Sequence, residues 1–306
     1  MLELVGLHRR YGDTLALDGL TVSIPAGVVF GLLGPNGSGK TTSMRATMGV
    51  TSVDSGEIRW EGRVVTREDR LRFGYMPEER ALYPDMFVAE HLIYFARLHG
   101  ATKAEAEARA AEWLDRLNLT ERANDKIADL SQGNKQRVQV ANTLIHQPDL
   151  MLMDEPFSGL DPVGIGFLSD VLSERAAEGA TVVFSSHQLD VVESLCSQVA
   201  IVHKGRLVSA GATREVTAPK GDRLCLEVRG ARRGWERRLK GVKVLSKQDG
   251  RLDLELLPGH DPSAVLDQAR RAGEVTEFSQ VRRKLSEVFL DAVGALPHEV
   301  EEAVEE

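Results

Sequence analysis

Cysteine is nearly absent: the 306 residues hold two, Cys196 and Cys225. They lack metal-ligand spacing and are too few for a disulfide-stapled scaffold, so both read as reduced thiols, Cys196 on the apolar side of a helix. Long hydrophobic runs are missing too. No apolar stretch approaches the ~18 residues that span a bilayer, and the N-terminus lacks a signal-peptide pattern. The chain is expected in the cytoplasm, touching a membrane only through a partner. An excess of basic charge is also lacking. The net charge is −8, which argues against a broad nucleic-acid footprint. There is no internal repeat and no sustained heptad. Composition is otherwise that of a globular protein, 42% hydrophobic and 27% charged, long enough for one large domain and a smaller one.

What is present is organised around Gly34-Pro35-Asn36-Gly37-Ser38-Gly39-Lys40-Thr41-Thr42. This is G-x-x-x-x-G-K-[ST], the phosphate-binding loop. The apolar run Val28–Leu33 before it reads as a buried strand, and residues 42–48 after it as a helix. The glycines let several backbone N–H groups converge on one anion, and the helix adds its positive end. Lys40 can reach the β- and γ-phosphates, and the Thr41 hydroxyl can hold Mg²⁺.

Residues 2–8 and 14–24 alternate apolar and polar and read as an antiparallel strand layer. Tyr11 lies in the turn between them, either stacking on a flat base or serving as a plain turn residue. Further strands are expected at 56–65 and 72–77. Helical spacing then runs over about 87–147 without a strand signal, which predicts a helical subdomain inserted into an α/β core. Strands at 150–153, 181–185, 198–203 and 206–210 alternate with helices, one of them over 162–178. That order predicts a mostly parallel sheet covered on both faces. Residues 218–222 read as a linker. Beyond it come strand 223–229, helix 231–239, strands 242–247 and 251–257, helix 262–272, strand 274–280 and helix 282–293, a ferredoxin-like β-α-β-β-α-β order. The reading gives a phosphate-loop domain over 1–218, an accessory α+β domain over 219–296 and an acidic tail over 297–306. In the last helix Leu285, Val288, Phe289 and Ala292 form an apolar stripe, core or dimer contact. The five basic residues from Arg232 to Lys240 read as a solvated face, with anionic lipid as the other reading.

Asp154 ends an apolar strand, the expected second Mg²⁺ contact of a phosphate-loop enzyme, and Glu155 follows where it can accept a proton from water. With these residues the sequence resembles the ATP-binding subunits of ABC transporters over residues 2 to about 217. The motifs stand in that family's order: Tyr11 as the adenine-stacking aromatic, residues 34–42 as Walker A, Leu130–Arg137 as the signature, 150–155 as Walker B, Ser158–Asp161 as the D-loop and His187 as the switch histidine. The resemblance implies ATP and Mg²⁺ as ligands, Lys40, Glu155 and His187 as catalytic residues, and Thr41, Asp154 and Glu78 at the metal. It also implies that Ser131 and Gly133 face the γ-phosphate on a second copy, that Asp161 couples the two sites, and that the chain works with a transmembrane permease at the inner face of the cell membrane.

Two departures stand out. Glu78 occupies a position where that family usually has glutamine, and the signature reads Leu-Ser-Gln-Gly-Asn. Both are similar to a subgroup that pairs with exporter-type membrane subunits, as are Tyr75–Pro84 and the C-terminal domain. The membrane partner is expected to dock near residues 78–100, where exposed apolar groups such as Met86 and Phe87 would receive a partner helix. A soluble nucleotide switch on ribosomes or DNA is the alternative; a phosphate-loop kinase would leave the signature without a role.

Overall fold

Strands of alternating burial open the chain. The computed structural model describes residues 1–79, 81–218, 223–232, 234–248, 250–281 and 283–294. β1 (Leu2–Tyr11) and β2 (Thr14–Ile24) pair antiparallel; Leu2, Leu4, Leu7, Leu17 and Leu20 point inward and are buried, the pattern of a sheet with one wet face. β3 (Val29–Leu33) is buried along its whole length and leads to α1 (Lys40–Met48). β4 (Ser55–Trp60) and β5 (Arg63–Val64) complete the antiparallel layer, in the order β2-β1-β4-β5. The single strand expected over 56–65 is a hairpin, because Glu61 and Gly62 both take positive φ (53° and 82°), as a tight two-residue turn requires. α2 (Arg67–Arg70) is one turn closed by a Thr66–Asp69 capping box, and β6 (Phe73–Met76) follows.

Three helices then succeed one another: α3 (Val88–Leu98), α4 (Lys103–Arg116) and α5 (Gln132–Leu144). α4 starts at a second capping box, Thr102 with Glu105, and buries Ala106, Ala110, Trp113 and Leu114 at helical spacing. β7 (Leu150–Asp154), α6 (Pro162–Ala177), β8 (Thr181–Ser185), α7 (Leu189–Leu195), β9 (Gln198–His203), β10 (Arg206–Ala212) and α8 (Thr213–Val216) follow. The large sheet runs β10-β9-β3-β8-β7-β6. It is parallel from β9 to β6, with β10 antiparallel at the edge. Every residue of β3, β7 and β8 is buried, as interior parallel strands must be. One apolar core joins the two sheets: Leu4, Leu20 and Ile58 pack with Phe30, Leu32, Leu150 and Leu152.

The chain forms two compact units, Met1–Val216 with the described residues from Phe289, and Thr217–Val288. The second holds β11 (Arg223–Arg229), β12 (Val242–Gln248), β13 (Arg251–Leu256), α9 (Pro262–Ala272) and β14 (Glu274–Gln280). Its sheet runs β12-β13-β11-β14, wholly antiparallel, the ferredoxin-like order. Leu224, Leu226, Leu252, Leu254 and Val265 make its core. The helix expected over 231–239 is only a 3-10 turn, Trp235–Arg238. Gly234 precedes it at φ 83°, a left-handed conformation that a right-handed helix cannot run through. α10 (Leu285–Val293) ends the described chain. Leu285, Val288 and Phe289 are buried, so the stripe serves packing within the chain. The acidic tail at 297–306 and linker residues 219–222 lie outside the described residues.

Candidate functional site

The phosphate loop leaves β3 at the centre of the large sheet, with β9 on one side and β8 on the other. Gly37 and Gly39 take φ of 74° and 107°. A Cβ on Gly39 would stand 2.5 Å from the Ala16 carbonyl, and one on Gly34 2.4 Å from Ser38 Oγ. α1 begins at Lys40, two residues earlier than its sequence pattern suggests. Its N-terminus has no side-chain cap and no acid in its first turn, so its N–H groups face the loop of Pro35, Asn36 and Ser38 and can take an anion. Lys40, only 9% exposed, curls over the loop, and Nζ donates to the carbonyls of Gly34 (2.7 Å) and Pro35 (3.1 Å). Burial lowers its pKa, against the pull of Glu155, Asp154 and Glu78. Ser38 Oγ is buried without a hydrogen-bond partner among the described residues. The loop is clasped from behind: Gly205 N–H donates to the Ser38 carbonyl at 2.9 Å, and the Gly205 carbonyl accepts from Asp18 N–H at 2.9 Å. Thr41 and Thr42 are half-buried.

Sheet register brings the acids to the same end. Ser185 of β8 pairs with Leu32 of β3 on one side and with Asp154 of β7 on the other. Ser185 Oγ donates to Asp154 Oδ1 at 2.5 Å and accepts from Glu155 N–H at 3.1 Å. Asp154 Oδ2 is buried with no partner among the described residues. Glu155 sits at φ 51°, a left-handed conformation that costs a side-chain-bearing residue on the order of 1–3 kcal/mol. Its Oε2 is 2.9 Å from His187 Nδ1, and that contact raises the imidazole pKa, opposed by partial burial. Glu78 is exposed just beyond β6, near enough to act electrostatically on both Lys40 and His187. Tyr11, 44% exposed, donates or accepts through its hydroxyl at Thr51 Oγ1 (2.9 Å), and the Arg9 guanidinium lies 4.6 Å from its ring centre.

The structure thus gathers Lys40, Glu78, Asp154, Glu155 and His187 at one site. Ser131 and Gly133 stand apart, with no hydrogen bond to residues 34–42 among the described residues. Ser131 is the N-cap of α5 and accepts from Asn134 N–H. An added Cβ on Gly133 would meet the Gly159 carbonyl at 3.4 Å, so this helix end lies beside the loop leading to Asp161. Asp161 caps α6, accepting from Gly164 N–H at 2.7 Å. Two residues were given no individual role by the sequence reading, Gln136 although it lies inside the signature stretch. Gln136 Nε2 donates to the carbonyls of Glu155 (3.3 Å) and Pro156 (2.8 Å), and Gln139 Nε2 to the carbonyl of Pro77 (2.6 Å). α5 thereby braces the loops after both β7 and β6. Their one sequence signal is a pair of glutamines at i and i+3 on a face otherwise filled by Val138, Val140, Ala141 and Leu144.

Comparison with known proteins agrees across the chain. Residues 17–158 match the ABC transporter family, and residues 217–293 match the C-terminal domain of DrrA1-3-like ATP-binding proteins. The uncharacterized ABC transporter ATP-binding protein YhaQ of Bacillus subtilis is 35% identical over 97% of this chain and 99% of its own. Nod factor export ATP-binding protein I of Burkholderia pseudomallei is 37% identical over 68% of this chain and 69% of its own. A solved ATP-binding subunit of an ABC transporter superposes with a TM-score of 0.66 at 32% identity, covering 71% of this chain and 91% of that one.

Proposed function

The chain belongs to the ATP-binding proteins of ABC transporters, and from that premise we propose that it hydrolyses ATP to drive export through a separate membrane-spanning subunit. The observation that carries the hydrolytic reading is Glu155: a carboxylate at the end of β7, hydrogen-bonded through its backbone to Ser185 and paired with His187. In this reading the loop of residues 34–42 cradles the phosphates and Lys40 exchanges its two carbonyl contacts for phosphate oxygens. Glu155 accepts the proton of the attacking water. His187 donates toward the γ-phosphate, and Tyr11 stacks on the base. The donor set suits magnesium: Asp154 has a buried oxygen without a partner, Thr41 offers a hydroxyl, and Glu78 stands at the rim. Bound there, the ion would offset charge on the β- and γ-phosphates.

Ser131 and Gly133 serve the nucleotide of a second copy. They stand at an α5 N-terminus away from their own phosphate loop, and an isologous head-to-tail dimer would bring them to its partner's. Asp161, beside that helix end, couples the two sites. Export rests on the relative named for Nod factor export; the relatives lend no support to action on ribosomes or DNA. No helix among the described residues is long and apolar enough to cross a membrane, so the span is assigned to a permease. Its docking helix finds exposed Tyr83, Phe87, Tyr94 and Leu98 around α3; Met86 is half-buried. The test is purification of Glu155→Gln protein from its own cells with Mg-ATP in mild detergent. A multi-span membrane protein in fixed ratio is the expected companion; ribosomal proteins, or none, would overturn the transport reading.

A further inference from the structure

The C-terminal unit contains a cleft of about 540 Å³ between the loop after β11 and the last turn of α9, within the size range of small-molecule sites. Gly273 lets the two meet: a Cβ there would lie 2.3 Å from the Arg229 carbonyl and 3.0 Å from the Ala231 nitrogen. Arg232, Arg238 and Arg271 line the cleft, and no carboxylate among the described residues does. The acids of the same elements are engaged elsewhere, Glu236 with Lys247 at 2.6 Å and Asp267 with Arg270. None of the three arginines has an ion-pair partner among the described residues. Arg271 offsets the negative end of α9 and would stand there for that reason alone. Arg232 and Arg238 have no such end to face, since they lie in a loop and in a single 3-10 turn. Three exposed guanidiniums around one cavity give it a positive potential that favours an anion. Trp235, half-buried, and Leu239 give the cleft an apolar wall. Gln268 stiffens its floor, its Oε1 accepting from Lys240 N–H at 2.8 Å.

We propose that this cleft binds a phosphate-bearing ligand with a flat or apolar part. The guanidiniums take the phosphate through paired N–H donors, and Trp235 and Leu239 cover the remainder. A free phosphomonoester and an anionic lipid headgroup share this chemistry. The site is separate from the ATP-binding motifs and does not depend on the transport reading.

The full chain, its phosphate loop saturated with the non-hydrolysable analogue AMP-PNP, is titrated with phenyl phosphate while tryptophan fluorescence is followed. Trp60 and Trp113 are both 4% exposed, so a change reports Trp235. In parallel, pelleting with phosphatidylglycerol vesicles is compared with phosphatidylcholine vesicles. The informative variant is Arg232→Lys/Arg238→Lys, which keeps the charge and removes the planar fork. Arg237→Ser/Arg270→Ser, outside the cleft, is the control, and melting curves verify that each variant folds. A saturable response to phenyl phosphate, weakened about tenfold in the lysine pair and unchanged in the control, is the result expected for a free ligand. Selective pelleting with phosphatidylglycerol that the lysine pair loses, with phenyl phosphate silent, makes the headgroup the ligand. The proposal is overturned if the wild type answers neither probe, if the lysine pair matches it, or if the control loses binding equally.

Discussion

Glu155 carries the sharpest expectations at the scale of one residue. Glu155→Gln keeps the shape and the left-handed backbone but cannot accept a proton. Phosphate release should fall by about a hundredfold or more, while nucleotide titration shows ATP still bound; an unchanged rate would remove Glu155 from catalysis. His187 adds a pH signature. Its pKa is raised above 6.5 chiefly by the contact with Glu155, so folding favours the protonated ring. That contribution is complete below the unfolded value near 6.5 and is lost as pH rises through the folded value. The melting-temperature difference between wild type and His187→Gln should therefore be larger at pH 5.5 than at pH 8, and NMR titration of His187 should give a lower midpoint in Glu155→Gln. The phosphate loop, Asp154 and Glu155 were open to a sequence reading because a glycine-rich loop before a helix and acids at a strand end form recognisable patterns; His187 entered only through the family resemblance. Gln136 and Gln139 were not open to it, because their partners are backbone carbonyls, for Gln139 one that is 62 positions away, and a carbonyl carries no residue identity.

Among the elements, α5 does two things at once. Its N-terminus presents Ser131 and Gly133, and its buried face holds the loops that carry Glu155 and Glu78. Gln136→Leu strips the donor from two carbonyls and should cost about 1–3 kcal/mol in urea unfolding. Gln139→Leu should cost less, since its own Oε1 is already buried without a partner among the described residues and the substitution removes that penalty along with the bond. An equal loss in both would show that packing rather than the bridges sets the stability. Fully buried β3, β7 and β8 were legible as apolar runs. The helix expected at 231–239 was misjudged because charge-rich composition says little about Gly234, whose φ decides the matter.

For the whole molecule, the order of motifs foretold the α/β core, and the alternation of strands and helices foretold the ferredoxin-like order. The proposed pairing of α5 with another copy's nucleotide is tested on the assembled pair. Glu155→Gln with Mg-ATP should pass from monomer to dimer mass in light scattering. Adding Gly133→Asp should abolish the dimer without weakening ATP binding to one chain, since an added Cβ makes only van der Waals contact with the Gly159 carbonyl while the carboxylate opposes the γ-phosphate. Dimers that persist in that variant would place the nucleotide bridge elsewhere.

The clasp of Gly205 on Ser38 and Asp18 bears on how the protein is made. A Cβ at Gly205 would fall within 2.9 Å of the Asp18 nitrogen and the Ala16 carbonyl, so no other residue can close it. The nucleotide cradle is synthesised well ahead of its backing, which arrives only with the β9–β10 turn. At roughly 5–20 residues per second that wait is on the order of ten to thirty seconds. Nascent chains stalled short of residue 205 should not be retained on immobilised ATP, and those released just beyond β10 should be. That outcome would mean that nucleotide capture waits until nearly all of the ATP-binding unit has been synthesised.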